Sequence, residues 1–275
     1  MTRVQPRPIA KTEPHGTAFT FATLVTDRDQ YDAMIASFEA AGFGPGDCEF
    51  IYIDNTDRSQ AGAQTGAYEG LNRLLKAAVG AYVVLCHQDV RAIDPRQALE
   101  ARLRELDQCD PAWGLAGNAG ATTPGRLALR ISDPHGADRR LGPFPARVMS
   151  LDENFIVARR DARIGLSHDL EGFHLYGADM CLQADVRGYR SYVIDYHLEH
   201  LSPGRKDATF TAMEQTFRTK WSRALRPRWL QTTCTLLRLS GTPHVPVLRR
   251  IVERAYSKIV RRRPGATGWT RQSAR

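Results

Sequence analysis

Residues 81–89 read AYVVLCHQD and decide the fold of this chain. The first six of them, 81–86, form the longest uninterrupted apolar run in the sequence, and a short run of this kind is typical of a buried strand. Three polar residues, His87, Gln88 and Asp89, follow at once. We therefore predict a buried strand that ends in a polar turn. The run is far shorter than the ~20 residues that span a bilayer, so it predicts no transmembrane helix.

Two earlier segments have the same form. The run FTFATLV at 19–25 precedes Thr26 and Asp27, and EFIYI at 49–53 precedes Asp54. Apolar residues at helical spacing lie between and after these runs: Tyr31, Met34, Ile35 and Phe38; Leu71, Leu74 and Leu75; and Leu99, Leu103 and Leu106. Strands that alternate with helices predict a doubly wound α/β fold with a mostly parallel sheet flanked by helices. Ligands bind at the carboxyl ends of the strands of such a sheet.

The second half of the chain is less regular. Residues 117–146 are rich in Gly, Pro and Arg, which predicts a mobile flap with little regular structure apart from a strand at RLALRI, 126–131. Beyond the flap we predict two strands broken near Asp152, a helix over 175–186 and a last strand over 190–194.

Charge is distributed unevenly along the sequence. The whole chain has 38 Lys and Arg residues against 30 Asp and Glu residues, a net charge of +8. Residues 221–275 hold 13 of the basic residues and one acid, Glu253, whereas residues 1–220 are slightly acidic. The apolar stripe over 247–260 predicts a basic amphipathic helix in this tail. Such a helix fits an anionic membrane surface, packing on the folded domain, or nucleic acid.

The cysteines and the first residues bear on the compartment. The five cysteines are scattered without a Cys-x-x-Cys pair, which argues against a disulfide framework and against a zinc–thiolate site. Residues 1–16 have no apolar core and predict a flexible arm rather than a secretory signal. We expect reduced thiols and a cytoplasmic protein.

The ends of the three predicted strands indicate the chemistry. The turn after the first strand contains neither G-x-G-x-x-G nor a P-loop, so those phosphate cradles are missing. Acids follow the strands instead, at Asp27, Asp54 and Asp89. Carboxylates repel a diphosphate unless one of them holds hydroxyl or amide groups and another binds a divalent cation that neutralises the phosphates.

An ordered series of motifs resembles a known family. The motifs are IDN at 53–55, a Gly-Leu-Asn stretch at 70–72, YVVLCHQD at 82–89, LDENFIVARRD at 151–161 and FHLYGADMCLQADVRGYRSYVI at 173–194, with a later histidine. The series is similar to family-2-like glycosyltransferases of the GT-A fold, and is closest to the branch with His-Gln-Asp in place of Asp-x-Asp. It covers roughly residues 18–205. The resemblance implies a GT-A-like (Rossmann-like) domain over 17–220, between the arm 1–16 and a basic helical tail 221–275.

The resemblance also implies roles for individual residues. The residues that it implies for donor binding are Asp27, Asp54, Asn55, His87, Gln88 and Asp89. The metal, Mn²⁺ in preference to Mg²⁺, falls to Asp89 and His200, with His197 as a competitor. Acceptor contacts fall to Asp152 and Glu153. The catalytic base falls to Asp179, but Tyr176-Gly177 stands where many relatives carry an acidic pair, so His174 and Asp152 remain alternatives.

The implied activity is inverting transfer of a sugar from a nucleoside-diphosphate donor, with UDP-sugars favoured, to a hydroxyl of a glycan or lipid-linked acceptor. Arginines within 126–140 would stabilise the leaving group. Two other classes stay open: a catalytically inactive sugar-nucleotide or glycan-binding module of the same fold, and a basic-tailed nucleic-acid-binding protein, although no nucleic-acid motif is present. The tail suggests a peripheral position on the inner face of the plasma membrane.

Overall fold

The computed structural model of the chain describes residues 18–57, 59, 64–204, 208–231, 233 and 236–239. The chain divides into two compact units, Met1–Glu214 and Gln215–Arg275. This division lies a few residues before the predicted boundary between the domain 17–220 and the tail. The predicted arm, residues 1–16, lies outside the described residues.

Fifteen strands and five α-helices make up the described residues. In chain order they are β1 (Phe19–Val25), α1 (Arg28–Ala40), β2 (Cys48–Asp54), α2 (Ala67–Ala77), β3 (Tyr82–Cys86), β4 (Val90–Ala92), α3 (Arg96–Cys109), β5 (Trp113–Gly117), β6 (Ala119–Thr123), β7 (Arg126–Asp133), β8 (Gly136–Leu141), β9 (Ala146–Val148), β10 (Ser150–Leu151), β11 (Phe155–Arg159), α4 (Tyr176–Val186), β12 (Arg190–Val193), β13 (Leu198–His200), α5 (Ala208–Leu225), β14 (Arg228–Gln231) and β15 (Leu236–Leu239). A short 3₁₀ helix, Arg160–Ala162, follows β11.

The main sheet has seven strands in the order β2-β1-β3-β11-β5-β12-β9. Strands β1, β2 and β3 are parallel to one another, β11 runs antiparallel to both β3 and β5, and β12 is parallel to β5. Strand β9 is antiparallel to β12, so five of the seven strands run in the same direction although only three of the six pairings are parallel. The predicted α/β fold with flanking helices is confirmed.

The predicted apolar stripes form the core. Tyr31, Met34 and Phe38 of α1 and Leu99, Leu103 and Leu106 of α3 are all buried, and they belong to one cluster with Phe21 and Val84 of the sheet. Burial of each such side chain contributes about 1.5–3 kcal/mol, so helices with these stripes gain more by packing on the sheet than by remaining solvated.

A second sheet corrects the prediction of an irregular flap at 117–146. Its strands run β10-β6-β7-β13-β4, and β8 pairs with β7. The predicted strand at 126–131 lies within β7, but β6 and β8 are strands as well. Their Gly, Ala and Arg content gives weak strand propensity, so it is cross-strand pairing with β7 that orders them.

The described part of the predicted helical tail is helical only to Leu225. Pro227 follows, and the residue before a proline is disfavoured in helical conformation, so α5 ends there. Beyond it, β14 and β15 pair antiparallel instead of continuing a helix. The predicted amphipathic helix at 247–260 lies outside the described residues. No helix within the described ranges is both long and apolar enough to cross a membrane. The four cysteines that are described are free thiols.

Asn72 of α2 anchors the loop that leads to α4. Its side-chain amide donates to the carbonyl of Leu166 at 3.0 Å, and its oxygen accepts from the Leu166 amide at 2.9 Å. A Cβ on the preceding loop residue, Gly165, would lie 2.9 Å from the side-chain oxygen of Asn72. The close approach of loop and helix therefore requires both the amide and the glycine.

We expect Asn72→Ala to lower the free energy of unfolding by about 1–3 kcal/mol, because it leaves a backbone donor and acceptor without partners. Urea unfolding followed by circular dichroism measures the change. The matched control on the same helix is Arg73→Ala, which removes only an exposed pair with Glu69 and should change stability by less than about 0.5 kcal/mol. Equal losses in the two variants would contradict the anchoring role.

Candidate functional site

The ends of three neighbouring strands place most of the predicted donor residues on one edge of the main sheet. Val25, the last residue of β1, pairs with Asp54, the last residue of β2, and β3 lies on the other side of β1. Asp27 follows β1 and caps α1 by accepting from the Gln30 amide at 3.1 Å. The cap satisfies one free donor at the start of the helix.

Gln88 fixes the turn after β3 to the turn after β1. Its Oε1 accepts from the amides of Thr26 at 2.8 Å and Asp27 at 3.0 Å, and its Nε2 donates to Thr26 Oγ1 at 2.9 Å. All polar atoms of this side chain therefore bind the protein, and Gln88 acts as a brace between the two turns.

Asp54 and Asn55 differ in their surroundings. Asp54 is exposed and accepts from the hydroxyl of Thr56 at 2.6 Å, a hydrogen bond that lowers the pKa of Asp54. Asn55 is buried, and its side chain exchanges two hydrogen bonds of 2.9 Å with the backbone of Thr65. Asp54 thus faces solvent at the sheet edge, while Asn55 closes the following loop.

His87, Asp89 and His200 form a cluster beside this edge. One potential ligand atom from each of the three lies within 4.8 Å of those of the other two. His200 Nε2 is 3.4 Å from Asp89 Oδ1, and His87 Nδ1 is 4.0 Å from the same oxygen. Strand β13 brings His200 here, since it pairs antiparallel with β4 and sets His200 opposite Val90. His197 lies outside the cluster: it is buried, with Nε2 2.9 Å from Ser132 Oγ.

The protonation states within the cluster follow from burial and charge. Burial opposes ionisation of Asp89, but the hydrogen bond and charge of His200, with the charge of His87, outweigh it and hold the pKa of Asp89 well below its usual range. Burial also opposes protonation of His200, yet Asp89, with Asp152 and Asp133, raises the pKa of His200. Desolvation and the neighbouring His200 lower the pKa of His87, so its ring is neutral.

Tyr176 determines the tautomer of His87, that is, which of its two ring nitrogens carries the proton. The Tyr176 hydroxyl donates its one proton to the carbonyl oxygen of Glu153 at 2.9 Å, and it lies 2.7 Å from His87 Nε2. Burial and the charge of Glu153 raise the pKa of Tyr176, so the phenol keeps that proton. His87 Nε2 must then be the protonated nitrogen, and Nδ1 offers its lone pair towards Asp89.

This set fits a divalent cation. Two imidazole nitrogens and a carboxylate oxygen are donors that Mn²⁺ accepts, and the fixed tautomer of His87 leaves its Nδ1 free to bind. Asp89 and His200 were predicted as ligands. The pattern that could have identified His87 as the third was its place two residues before Asp89, on the same turn.

The structure places Asp179 inside the protein. The side chain is fully buried, and its two oxygens accept from the amide and the hydroxyl of Ser167, both at 2.7 Å. These bonds attach the loop before α4 to the helix. His174, the first alternative base, stands on that loop, where its ring contacts Phe210 and its Nε2 is 3.4 Å from Thr209 Oγ1.

Asp152 and Glu153 lie between β10 and β11. Asp152 is exposed and accepts from both the backbone and the side-chain amide of Asn154. It lines a cavity of about 320 Å³ together with Asp133 and Arg139 of the second sheet. Glu153 is partly buried against the start of α4, where its Oε1 accepts from the Gly177 amide at 3.4 Å.

The arginines of the segment predicted as a flap form ion pairs with acidic residues. Arg139 binds Asp133 at 2.9 Å, and Arg140 binds Asp195 at the same distance. Arg130 also contacts Asp195, at 3.3 Å. Much of the positive charge predicted to assist a leaving group is therefore balanced within the second sheet.

The chain is similar to known proteins in sequence and in fold. No protein-family model matches the chain. The chain is 38% identical over 232 residues to "ATP synthase subunits region ORF 6" of Fuscovulum blasticum, and the match covers 81% of this chain and 91% of that protein.

Among solved structures, the chain is similar to S. aureus TarS 1–349 in complex with UDP-GlcNAc, with a TM-score of 0.50 and 13% identity over 74% of this chain and 65% of that one. It thus spans less than two thirds of that TarS chain. Mannosyltransferase PcManGT from Pyrobaculum calidifontis, in complex with GDP-Man and Mn²⁺, matches with a TM-score of 0.48 and 14% identity over 89% of this chain and 73% of that one. The chain has the GT-A glycosyltransferase fold and belongs to the same family as ORF 6 of the ATP synthase subunits region of Fuscovulum blasticum.

Proposed function

We propose that this protein is a metal-dependent glycosyltransferase that uses a nucleoside-diphosphate sugar. The observation that supports it most directly is the cluster of His87, Asp89 and His200 at the carboxyl edge of a GT-A sheet. Ligands of open α/β sheets bind at this edge. A cation held there would offset the negative charge of a diphosphate that the surrounding carboxylates would otherwise repel.

The donor lies along the edge formed by β2, β1 and β3. Asp54 is exposed at the end of β2 and has a carboxylate oriented by Thr56, which suits hydrogen bonds from ribose or base groups. Gln88 and Asn55 keep the adjoining turns in place rather than contact the donor, because their side-chain atoms already bind backbone. UDP-sugars remain the favoured donors.

His87, Asp89 and His200 would hold Mn²⁺ in preference to Mg²⁺, because nitrogen ligands suit the former better. When bound, the cation supplies charge neutralisation to the departing diphosphate. The acceptor hydroxyl, of a glycan or lipid-linked molecule, attacks the anomeric carbon on the side opposite the diphosphate. A single displacement of this kind inverts the anomeric configuration.

The acceptor lies on the side of Asp152. The cavity of about 320 Å³ is lined by this carboxylate, by the apolar Leu127 and Leu129, and by the charged Asp133 and Arg139. Such a lining suits a sugar ring, which has an apolar face and polar edges. Membrane association of the tail stays a prediction, because the residues 247–260 that would carry it are outside the described ranges.

We expect Asp89→Asn to abolish Mn²⁺-dependent binding of UDP, because it removes the one anionic ligand of the cluster. At a UDP concentration of about 100 times Kd, binding should stabilise the wild type by roughly 2.7 kcal/mol, and EDTA should reverse the effect. Thermal unfolding with and without UDP and Mn²⁺ measures it. Glu105→Gln on the exposed face of α3 is the control and should behave as the wild type. UDP stabilisation of the same size in Asp89→Asn would contradict the proposed site.

We expect Tyr176→Phe to weaken Mn²⁺ binding by about 10- to 100-fold, since His87 would lose the partner that fixes its tautomer. Titration of Mn²⁺ followed by electron paramagnetic resonance measures the affinity without any substrate. Tyr68→Phe is matched to it, because that variant also loses one hydrogen bond to a backbone carbonyl, that of His174, but none to the cluster. Equal affinities in the two variants would show that Tyr176 has no role in orienting His87.

A further inference from the structure

Glu153 occupies the amino end of α4 with its carboxyl group. The backbone amide of Gly177 donates to its Oε1 at 3.4 Å. Such amides point their donors along the helix axis and orient an acid placed there. The side chain nevertheless keeps part of its surface accessible.

Gly177 makes this position of Glu153 possible. A Cβ at residue 177 would lie 2.5 Å from the carbonyl oxygen of Leu151 and 3.3 Å from Cγ of Glu153. The first distance is a clash with backbone, so any side chain at this position would push the Glu153 loop away from the helix. Gly177 thus leaves α4 without an acidic side chain at this position, and its small size gives room for the side chain of Glu153.

The Glu153 loop is joined to the metal-ligand cluster through two backbone carbonyl groups, those of Glu153 and Asn154. The carbonyl oxygen of Glu153 accepts from Tyr176, whose oxygen accepts from His87 Nε2. The carbonyl oxygen of Asn154 accepts from the His87 amide at 2.9 Å. A displacement of Glu153 relative to the cluster would have to break these bonds, so the acid has a fixed place beside it.

We propose that Glu153 is the catalytic base that accepts the proton of the attacking acceptor hydroxyl. This assignment rests on the proposed function. As the acceptor oxygen forms its bond to the anomeric carbon, its proton passes to a carboxylate oxygen of Glu153. The bond from the anomeric carbon to the diphosphate breaks, and its electron pair leaves with the nucleoside diphosphate.

Two other acids compete for this role, and their contacts disfavour them. Asp179 is fully buried and has both oxygens bonded to Ser167. Asp152 is exposed and directed to the amides of Asn154. Among the three acids, Glu153 is the one whose side chain is neither fully buried nor fully exposed.

The proton affinity of Glu153 also suits a base. Burial, and then the negative charge of Asp152, raise the pKa of Glu153 to about 8 despite the amides of α4. The titratable groups that face it from the packed helices are the phenols of Tyr176 on α4 and Tyr68 on α2, and burial raises the pKa of both, so they stay neutral. A base whose pKa is near the working pH transfers protons efficiently.

The test compares Glu153→Gln with Glu153→Asp, using UDP-sugar hydrolysis or transfer and, separately, the Kd of UDP with Mn²⁺. We expect Glu153→Gln to lower kcat at pH 8 by about 10²- to 10⁴-fold with the Kd of UDP unchanged, and Glu153→Asp to retain part of the activity with a shifted pH profile. The wild-type rate should rise with pH up to about 8, as Glu153 loses its proton. Asp185→Asn, an exposed acid on α4, is the control and should match the wild type.

A kcat of Glu153→Gln within a few fold of the wild type would overturn the assignment, and so would a parallel loss of UDP affinity. If the wild type itself failed to bind UDP with Mn²⁺, the proposed function would fall, and the assignment with it.

A second measurement needs no substrate. Because the pKa of Glu153 is raised from 4.5 to about 8 on folding, the folded state binds more protons than the unfolded state between these values. The free energy of unfolding of the wild type should therefore decrease as the pH rises from about 4.5 to 8, relative to that of Glu153→Gln, and the difference should be constant above pH 8. Parallel pH profiles of the two proteins would show that Glu153 is not held in this environment.

Discussion

The site depends on the parallel pairing of β1 with β2 and β3. This pairing brings three separate chain segments to the same edge, with the last residue of β1 opposite Asp54 and the turn His87–Asp89 on the other side. Strand register is specified by packing, because a slip by one residue would move Phe19 and Phe21 from the cluster that they share with Phe38 to the opposite face of the sheet. The packing of these aromatic side chains therefore also determines where the carboxylates at the strand ends lie.

Backbone hydrogen bonds, rather than side-chain contacts alone, bring the histidine from the end of the domain to this edge. Strand β13 pairs with β4, and the amide of Leu201 donates to the carbonyl of Asp89 at 3.0 Å. The ligand atoms of Asp89 and His200 therefore lie close together before any cation arrives. A site that is organised in advance avoids the cost of ordering its ligands on binding.

The sequence was sufficient for those parts of the fold in which apolar periodicity coincides with burial. The strands β1–β3 and the helices α1–α3 were predicted because their stripes, such as Leu99, Leu103 and Leu106, are the buried faces. The second sheet could not be predicted in full, since strands such as β6 (AGATT) and β8 (GADRRL) have little alternation and depend on pairing with β7.

The same distinction holds at the site. Asp89 follows a strand whose end was predicted, whereas His200 lies on β13, a strand that was not predicted; the two meet in the cluster. The proposed role of Glu153 could not be predicted in the same way, because it depends on how the loop at 152–154 packs on α4. That contact joins residues 24 positions apart, Glu153 and Gly177, and no local pattern in the sequence encodes it.

The backbone of Leu175, just before α4, bears on the contact between Glu153 and Gly177. Its φ is +64°, a left-handed conformation that costs a residue with a branched side chain roughly 1–2 kcal/mol. Such a conformation persists only where neighbouring interactions compensate for it. Here the hydroxyl of Tyr68 donates to the carbonyl of His174, and the carboxylate of Glu153 accepts from the Gly177 amide. The hydrogen bond from the Gly177 amide therefore joins the start of α4 to the Glu153 loop.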